Sequence, residues 1–244
     1  FVEGKIEYTL LYLAQESENM GIYSVSYTGT FSNYVEIPGT EHMMLCDSEC
    51  YVEHMNCAIA NERKIAIEGI IKLKAEVYKK YEFEVIKDVT GSEDIQMLKN
   101  PATVDKIVGT VSGDLVAKTE IQISMDKPQV GSVLEYNVNI HKKDVKVLED
   151  KISVEAYVLI RMFYRGKDTR DIVCIEKDVF VNKELPMQGV NPSMESYTDF
   201  NIGEIEHTMR EDDLGENRIV EVEVLVQSNT KVMYKEDMDI IEDA

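Results

Sequence analysis

Five side chains could bind a metal: His42, Cys46, Cys50, His54 and Cys57. Thiolates and imidazoles are the usual zinc ligands, and four of them close a tetrahedral site. The spacing, His-x3-Cys-x3-Cys-x3-His-x2-Cys, is not that of a finger or ribbon. Local structure decides what the set can do. On a helix these residues form a stripe that suits an ion. On a strand, the four from His42 to His54 spread over roughly 40 Å at ~3.3 Å per residue, too far for one ion. The sequence therefore assigns no metal, and these five stand only as weak candidates.

The same stretch offers a second chemistry. Cys46 and Cys50 flank Asp47-Ser48-Glu49, a polar segment read as exposed. Exposed thiols cross-link chains when the environment becomes oxidising. Cys46 and Cys50 are the cross-linking candidates. Cys57 and Cys174 are read as small core residues, as free cysteines often are. His141 and His207 are read as lone, solvated histidines. The acid run from Glu211 to Glu216 lacks the alternating register of an EF-hand and reads as a solvated loop.

Enzyme motifs do not emerge. Gly109-Thr110-Val111-Ser112-Gly113 lacks the lysine and spacing of a phosphate-binding loop and misses the Gly-x-Ser-x-Gly elbow by one position. No His-Glu-x-x-His occurs. The expectation is a non-enzymatic protein with no catalytic residue and no cofactor.

The elements around these residues repeat. VEGKIEYTLLY from Val2 returns as VEAYVLIRMFY from Val154, and Tyr12 returns as Tyr164, a shift of 152 in both cases. Phe31, Asn33 and Ile37-Pro38 return as Phe180, Asn182 and Leu185-Pro186. Arg63-Lys64-Ile65-Ala66-Ile67 returns as Arg218-Ile219-Val220-Glu221-Val222. Duplication of this kind points to a modular architecture.

The dominant period is two. Val2, Gly4, Ile6, Tyr8, Leu10 and Tyr12 share one face. Val154, Ala156, Val158, Ile160, Met162 and Tyr164 do the same. Ile65, Ile67, Gly69, Ile71, Leu73, Ala75 and Val77 match Val220, Val222, Val224 and Val226. Such alternation predicts half-buried antiparallel strands. A long hairpin is expected from Val145 through a turn at Glu149-Asp150 to Tyr164. Short helices are expected after Ser92 and over Pro128 to Leu134. The fold class is mainly β: tandem antiparallel β-sandwich or open-barrel domains with one or two short helices. The boundary is placed near residues 88–91, giving domains 1–88 and 89–244. The first domain lacks the arm that precedes Ile152, which unseen sequence before Phe1 or another chain would supply. Phe1 lies inside a strand pattern, so the chain is expected to be part of a longer protein.

The chain has 244 residues and a net charge of −20. Such a charge repels nucleic acid and anionic membrane surfaces. No apolar run reaches the ~18–20 residues of a spanning helix.

Val147-Leu148-Glu149-Asp150-Lys151-Ile152-Ser153-Val154-Glu155 followed by Tyr164 resembles the SPOCS domain of sporulating Firmicutes. Lys127-Pro128, Val133-Leu134, Phe180, Pro186 and Arg218-Ile219-Val220 fit that pattern. In the first copy Val2-Glu3-Gly4, Tyr12, Phe31, Pro38-Gly39 and Asn61-Glu62-Arg63-Lys64-Ile65 fit it as well. Ala156 departs from the glycine found at Gly4. The resemblance implies a spore-envelope protein of the coat or exosporium, made in the mother cell. Together with the duplication and the shortened first copy it points to self-assembly into a layer or filament, and because exposed sheet edges template strand addition, Val2 to Tyr12 is the expected assembly strand. The alternative it implies is an adaptor that recruits a spore-coat morphogenetic protein to the forespore. No LysM-like segment occurs in these residues, so peptidoglycan binding is not carried over.

Overall fold

In the computed structural model the described residues are 1–16, 19–82, 84–86, 88, 98–169 and 171–243. Ten strands follow one another: β1 (Val2–Glu16), β2 (Asn19–Asn33), β3 (Leu45–Asn61), β4 (Lys64–Tyr78), β5 (Leu98–Gln122), β6 (Val130–Leu148), β7 (Lys151–Gly166), β8 (Ile172–Pro186), β9 (Glu195–Glu211) and β10 (Asn217–Asp243). The mainly-β, antiparallel expectation holds. No helix occurs among the described residues. The helix expected after Ser92 falls almost entirely outside them. Of the boundary expected at 88–91, only Asp88 is described.

The chain forms two compact units. The first holds Phe1–Thr9 and Ser26–Glu84, and the second holds Leu10–Val25 and Val85–Ala244.

The second unit is a sandwich of two three-stranded antiparallel sheets, ordered β5-β10-β9 and β6-β7-β8. The central strands carry the alternation most cleanly, because both of their edges are paired and one face is covered. On β7, Ile152, Val154, Ala156, Val158, Ile160, Met162 and Tyr164 are all 0% exposed. They meet Val220, Val222, Val224 and Val226 of β10, which are equally buried. Between the sheets β5 approaches β8 closely: a Cβ added at Gly113 would lie 2.5 Å from Leu185.

The expected hairpin is present. Leu148 pairs with Lys151 across Glu149-Asp150, and Asp150 adopts a positive φ of 54°. This matches the left-handed residues that two-residue hairpin loops require. Pro128 to Leu134 is not a helix, which corrects the sequence reading. Pro128 precedes the strand, and Val130 already pairs with Gly166. The carbonyl of Pro128 accepts a hydrogen bond from the Tyr164 hydroxyl (2.9 Å), which holds the segment on the strand ladder. Val130 and Leu134 enter the core from that ladder.

Strands β1 to β4 are the repeat's counterparts of β7 to β10 in the same order, and the Leu10–Val25 part of β1 and β2 belongs to the second unit. β3 and β4 form a two-stranded antiparallel sheet. β1 and β2 form another. Stacked Tyr8 and Tyr27, and the Thr9–Ser26 hydroxyl pair at 3.0 Å, mark an antiparallel register at its base. Counterparts of β5 and β6 are absent among the described residues. The consequence is visible in burial. Ile65, Ile67, Ile71, Leu73, Ala75 and Val77 of β4 are only half-buried, where the β10 valines are sealed.

Candidate functional site

Cys46, Cys50, His54 and Cys57 all lie on β3, and His42 lies in the connection before it. An extended strand spreads these groups along its length. Among the described residues no cluster of three or more His, Cys, Asp or Glu side chains converges on a metal-sized volume.

The register of β3 against β4 decides where the thiols point. Cys46 pairs with Val77, and Cys50 pairs with Leu73. A β-bulge between Val52 and His54 inserts one residue. Beyond it, parity is inverted, so Cys57 pairs with Ile67. Paired residues in a sheet share a face. All three cysteines therefore lie on the face of β4's Ile67, Leu73 and Val77. His54 pairs with Ile70 and lies on the other face. The same bulge recurs in the second copy, between the Val224 and Val226 positions of β10 opposite β9. It is a feature of the repeat, and bulges of this kind re-aim the side chains that follow.

Cys46 and Cys50 are four residues apart, about 13 Å along a strand. A disulfide needs Cα atoms within ~7 Å, so they cannot bond to each other. Both thiols are free and exposed. Cys57 and Cys174 are also exposed, which corrects their reading as core residues. For Cys57 the cause is the bulge together with the thinly covered face. Cys174 pairs with Phe163 on the register opposite to the buried Met162 and Tyr164.

The remaining candidates are structural. His141 is not a lone histidine: its Nε2 lies 2.8 Å from an Asp178 carboxylate oxygen, and its ring meets Tyr157. His207 meets the Tyr136 ring at 5.4 Å, and desolvation on that side lowers its proton affinity below the ordinary value. Burial likewise pushes the Tyr136 hydroxyl well above its usual range. The acid run closes the β9–β10 hairpin. Asp212 Oδ1 accepts the N–H groups of Leu214 and Glu216 (2.9 and 3.0 Å), and Gly215 takes a φ of 76°. Gly109 to Gly113 lies within β5 and pairs along β10.

Arg218 is a buried cation that periodicity did not single out. It is 9% exposed. Its Nη1 donates to the carbonyls of Ser124 (3.1 Å) and Lys127 (2.8 Å), in the turn joining β5 to β6. Its Nε donates to Glu216 (2.5 Å), with Asp212 at 3.9 Å. A guanidinium offers five donors in a fixed fork, which suits two carbonyls and a carboxylate at once. The repeat places Arg63 at the same point of the first copy. Arg63 is exposed, and its side chain makes no hydrogen bond or ion pair among the described residues.

The arrangement offers exposed thiols and an apolar sheet face. Edges present rows of unpaired N–H and C=O groups that template strand addition. Among the described residues β4 pairs with β3 alone, whereas its counterpart β10 is paired on both sides.

No curated protein and no solved structure matches the chain. The family model described as SipL, SPOCS domain, matches residues 1–60 and 129–210. The second match opens at the head of β6 and runs through β9, while the first covers only β1 to β3. Two tandem copies, the first incomplete, account for both matches, and the chain belongs to the sporulation-associated SPOCS-domain family.

Proposed function

We propose that this protein is a non-enzymatic structural subunit of the bacterial spore envelope, coat or exosporium, which self-assembles into a layer or filament. The observation that carries this reading is the apolar face of the β3–β4 sheet, where Val52, Met55 and Ile59 are 49%, 58% and 80% exposed beside free thiols. Exposed apolar patches of this kind mark interaction surfaces. Cys46 and Cys50 lie on that face, where a thiol of a neighbouring chain can reach them and lock the contact.

Negative-stain electron microscopy of the purified protein, with and without reductant, tests the reading. Ordered sheets or fibres are expected, and a Cys46→Ser/Cys50→Ser variant should lose resistance to boiling. Small discrete particles in both conditions would overturn it and favour an adaptor for a spore-coat morphogenetic partner.

A further inference from the structure

The outer half of the β1–β2 hairpin, Leu10–Val25, belongs to the second unit, although among the described residues β1 and β2 pair with each other alone. A two-stranded ribbon is marginal by itself, so its outer half needs an anchor. Burial supplies little of it: Leu11, Leu13 and Met20 are 46%, 65% and 49% exposed.

Arg165 of β7, in the same unit, provides the anchor. Its Nη1 donates to the carbonyl of Ile22 at 3.2 Å, and its guanidinium carbon lies 4.6 Å from the centre of the Tyr23 ring. Tyr23 stacks in turn on Tyr12 across the ribbon, with ring centres 5.9 Å apart. Gly21 lets the guanidinium lie against the backbone, since a Cβ there would stand 2.9 Å from Nη1. The base beneath Arg165 is fixed. Arg165 pairs with Ser132 of β6 and Ile172 of β8, the Gly166 N–H donates to the Asp171 carbonyl (3.0 Å), and the Lys167 N–H donates to the Gln129 carbonyl (2.8 Å). A planar cation can stack on a ring and donate from its edge at once, which a lysine ammonium cannot do.

The repeat shows that this contact is not part of the module itself. The shift that joins Tyr12 to Tyr164 puts Leu13 at the place of Arg165, and the shift that joins Phe31 to Phe180 puts Ile172 at the place of Tyr23. Neither copy holds both halves: the first supplies the carbonyl and the ring, and the second supplies the cation.

We propose that Arg165 is a clasp and that the outer half of the β1–β2 hairpin is a strap, held by it on the end of β7 and able to lift without unfolding the sandwich. The attachment is one side chain against a carbonyl and a ring, so release breaks no ladder hydrogen bond of β7. Lifting frees the Tyr23 ring and leaves the β7 ladder to β6 and β8 as it stands. The clasp reads the order of the copies, because the arginine is present in the second alone.

Hydrogen exchange of the whole chain, followed by mass spectrometry, tests the clasp. In Arg165→Ala the amides of residues 20–25 should exchange about tenfold faster, the scale of a lost charge-assisted hydrogen bond and ring contact. Those of β7 and β10 should keep their wild-type rates. Tyr23→Leu should speed the same amides of the strap. Combining it with Arg165→Ala should add less than the two effects together, because both substitutions remove one shared contact. Unchanged exchange over residues 20–25 in Arg165→Ala would overturn the proposal. Equal acceleration throughout β7 and β10 would overturn it too, since Arg165 would then stabilise the sandwich and not the strap. So would two substitutions whose effects simply add.

Discussion

Arg218 and Arg63 occupy one position of the repeat in opposite circumstances, and substitution should separate them. Arg218→Ala removes a buried cation, strands two carbonyls and leaves Glu216 and Asp212 uncompensated. The expected loss is about 2–4 kcal/mol in the unfolding of the second unit, read by chemical denaturation. Arg63→Ala removes no side-chain hydrogen bond or ion pair among the described residues and should change stability by under about 0.5 kcal/mol. Equal losses would mean that the two arginines share a role in the monomer. His207 carries a second expectation. Its folded proton affinity lies below the ordinary value of 6.5 because its ring is desolvated against Tyr136. As pH falls through the unfolded value, the unfolded chain takes up the proton first. The contribution is thus fully present above about 6.5 and is lost progressively below it. Denaturation midpoints across that range should slope in the wild type and flatten in His207→Gln.

At the scale of elements, closeness between β5 and β8 is the constraint most open to test. Gly113→Val places branched methyls into Leu185, a side chain only 3% exposed. The cost should be about 1–3 kcal/mol from overpacking. A double variant with Leu185→Ala should recover part of it, and no recovery would mean that the two strands are not in this register. The strands themselves were legible in the sequence, because burial of one face imposes the period of two that β7 and β10 display. Two features were not. The bulge at Val52/His54 inverts parity midway along β3, so simple alternation could not place Cys57 on the face of Cys46 and Cys50. The segment from Pro128 begins like a helix, but Tyr164 and the edge of β7 capture it as a strand, a tertiary contact that local sequence does not contain. The exposure of Cys46 and Cys50 was legible from the polar residues between them, whereas the apolar face they share was not, since it is set by the pairing of β3 with β4.

Across the whole molecule the net charge of −20 opposes the self-association proposed above. A second copy brings the same negative field, and at low salt that repulsion reaches far. The Debye length is about 30 Å at 0.01 M and about 10 Å at 0.1 M. Strand pairing and apolar cover act only at contact, so salt weakens the barrier and leaves the attraction largely intact. Assembly should therefore be slow near 0.01 M salt and accelerate severalfold or more by 0.15 M, followed by light scattering at fixed protein concentration. Reductant should leave that early rate unchanged, because Cys46 and Cys50 can bond only after the faces meet. It should instead raise the extent of disassembly when salt is removed again. An assembly rate that falls as salt rises would mean that attractive ion pairs, and not edges and apolar faces, bring the copies together.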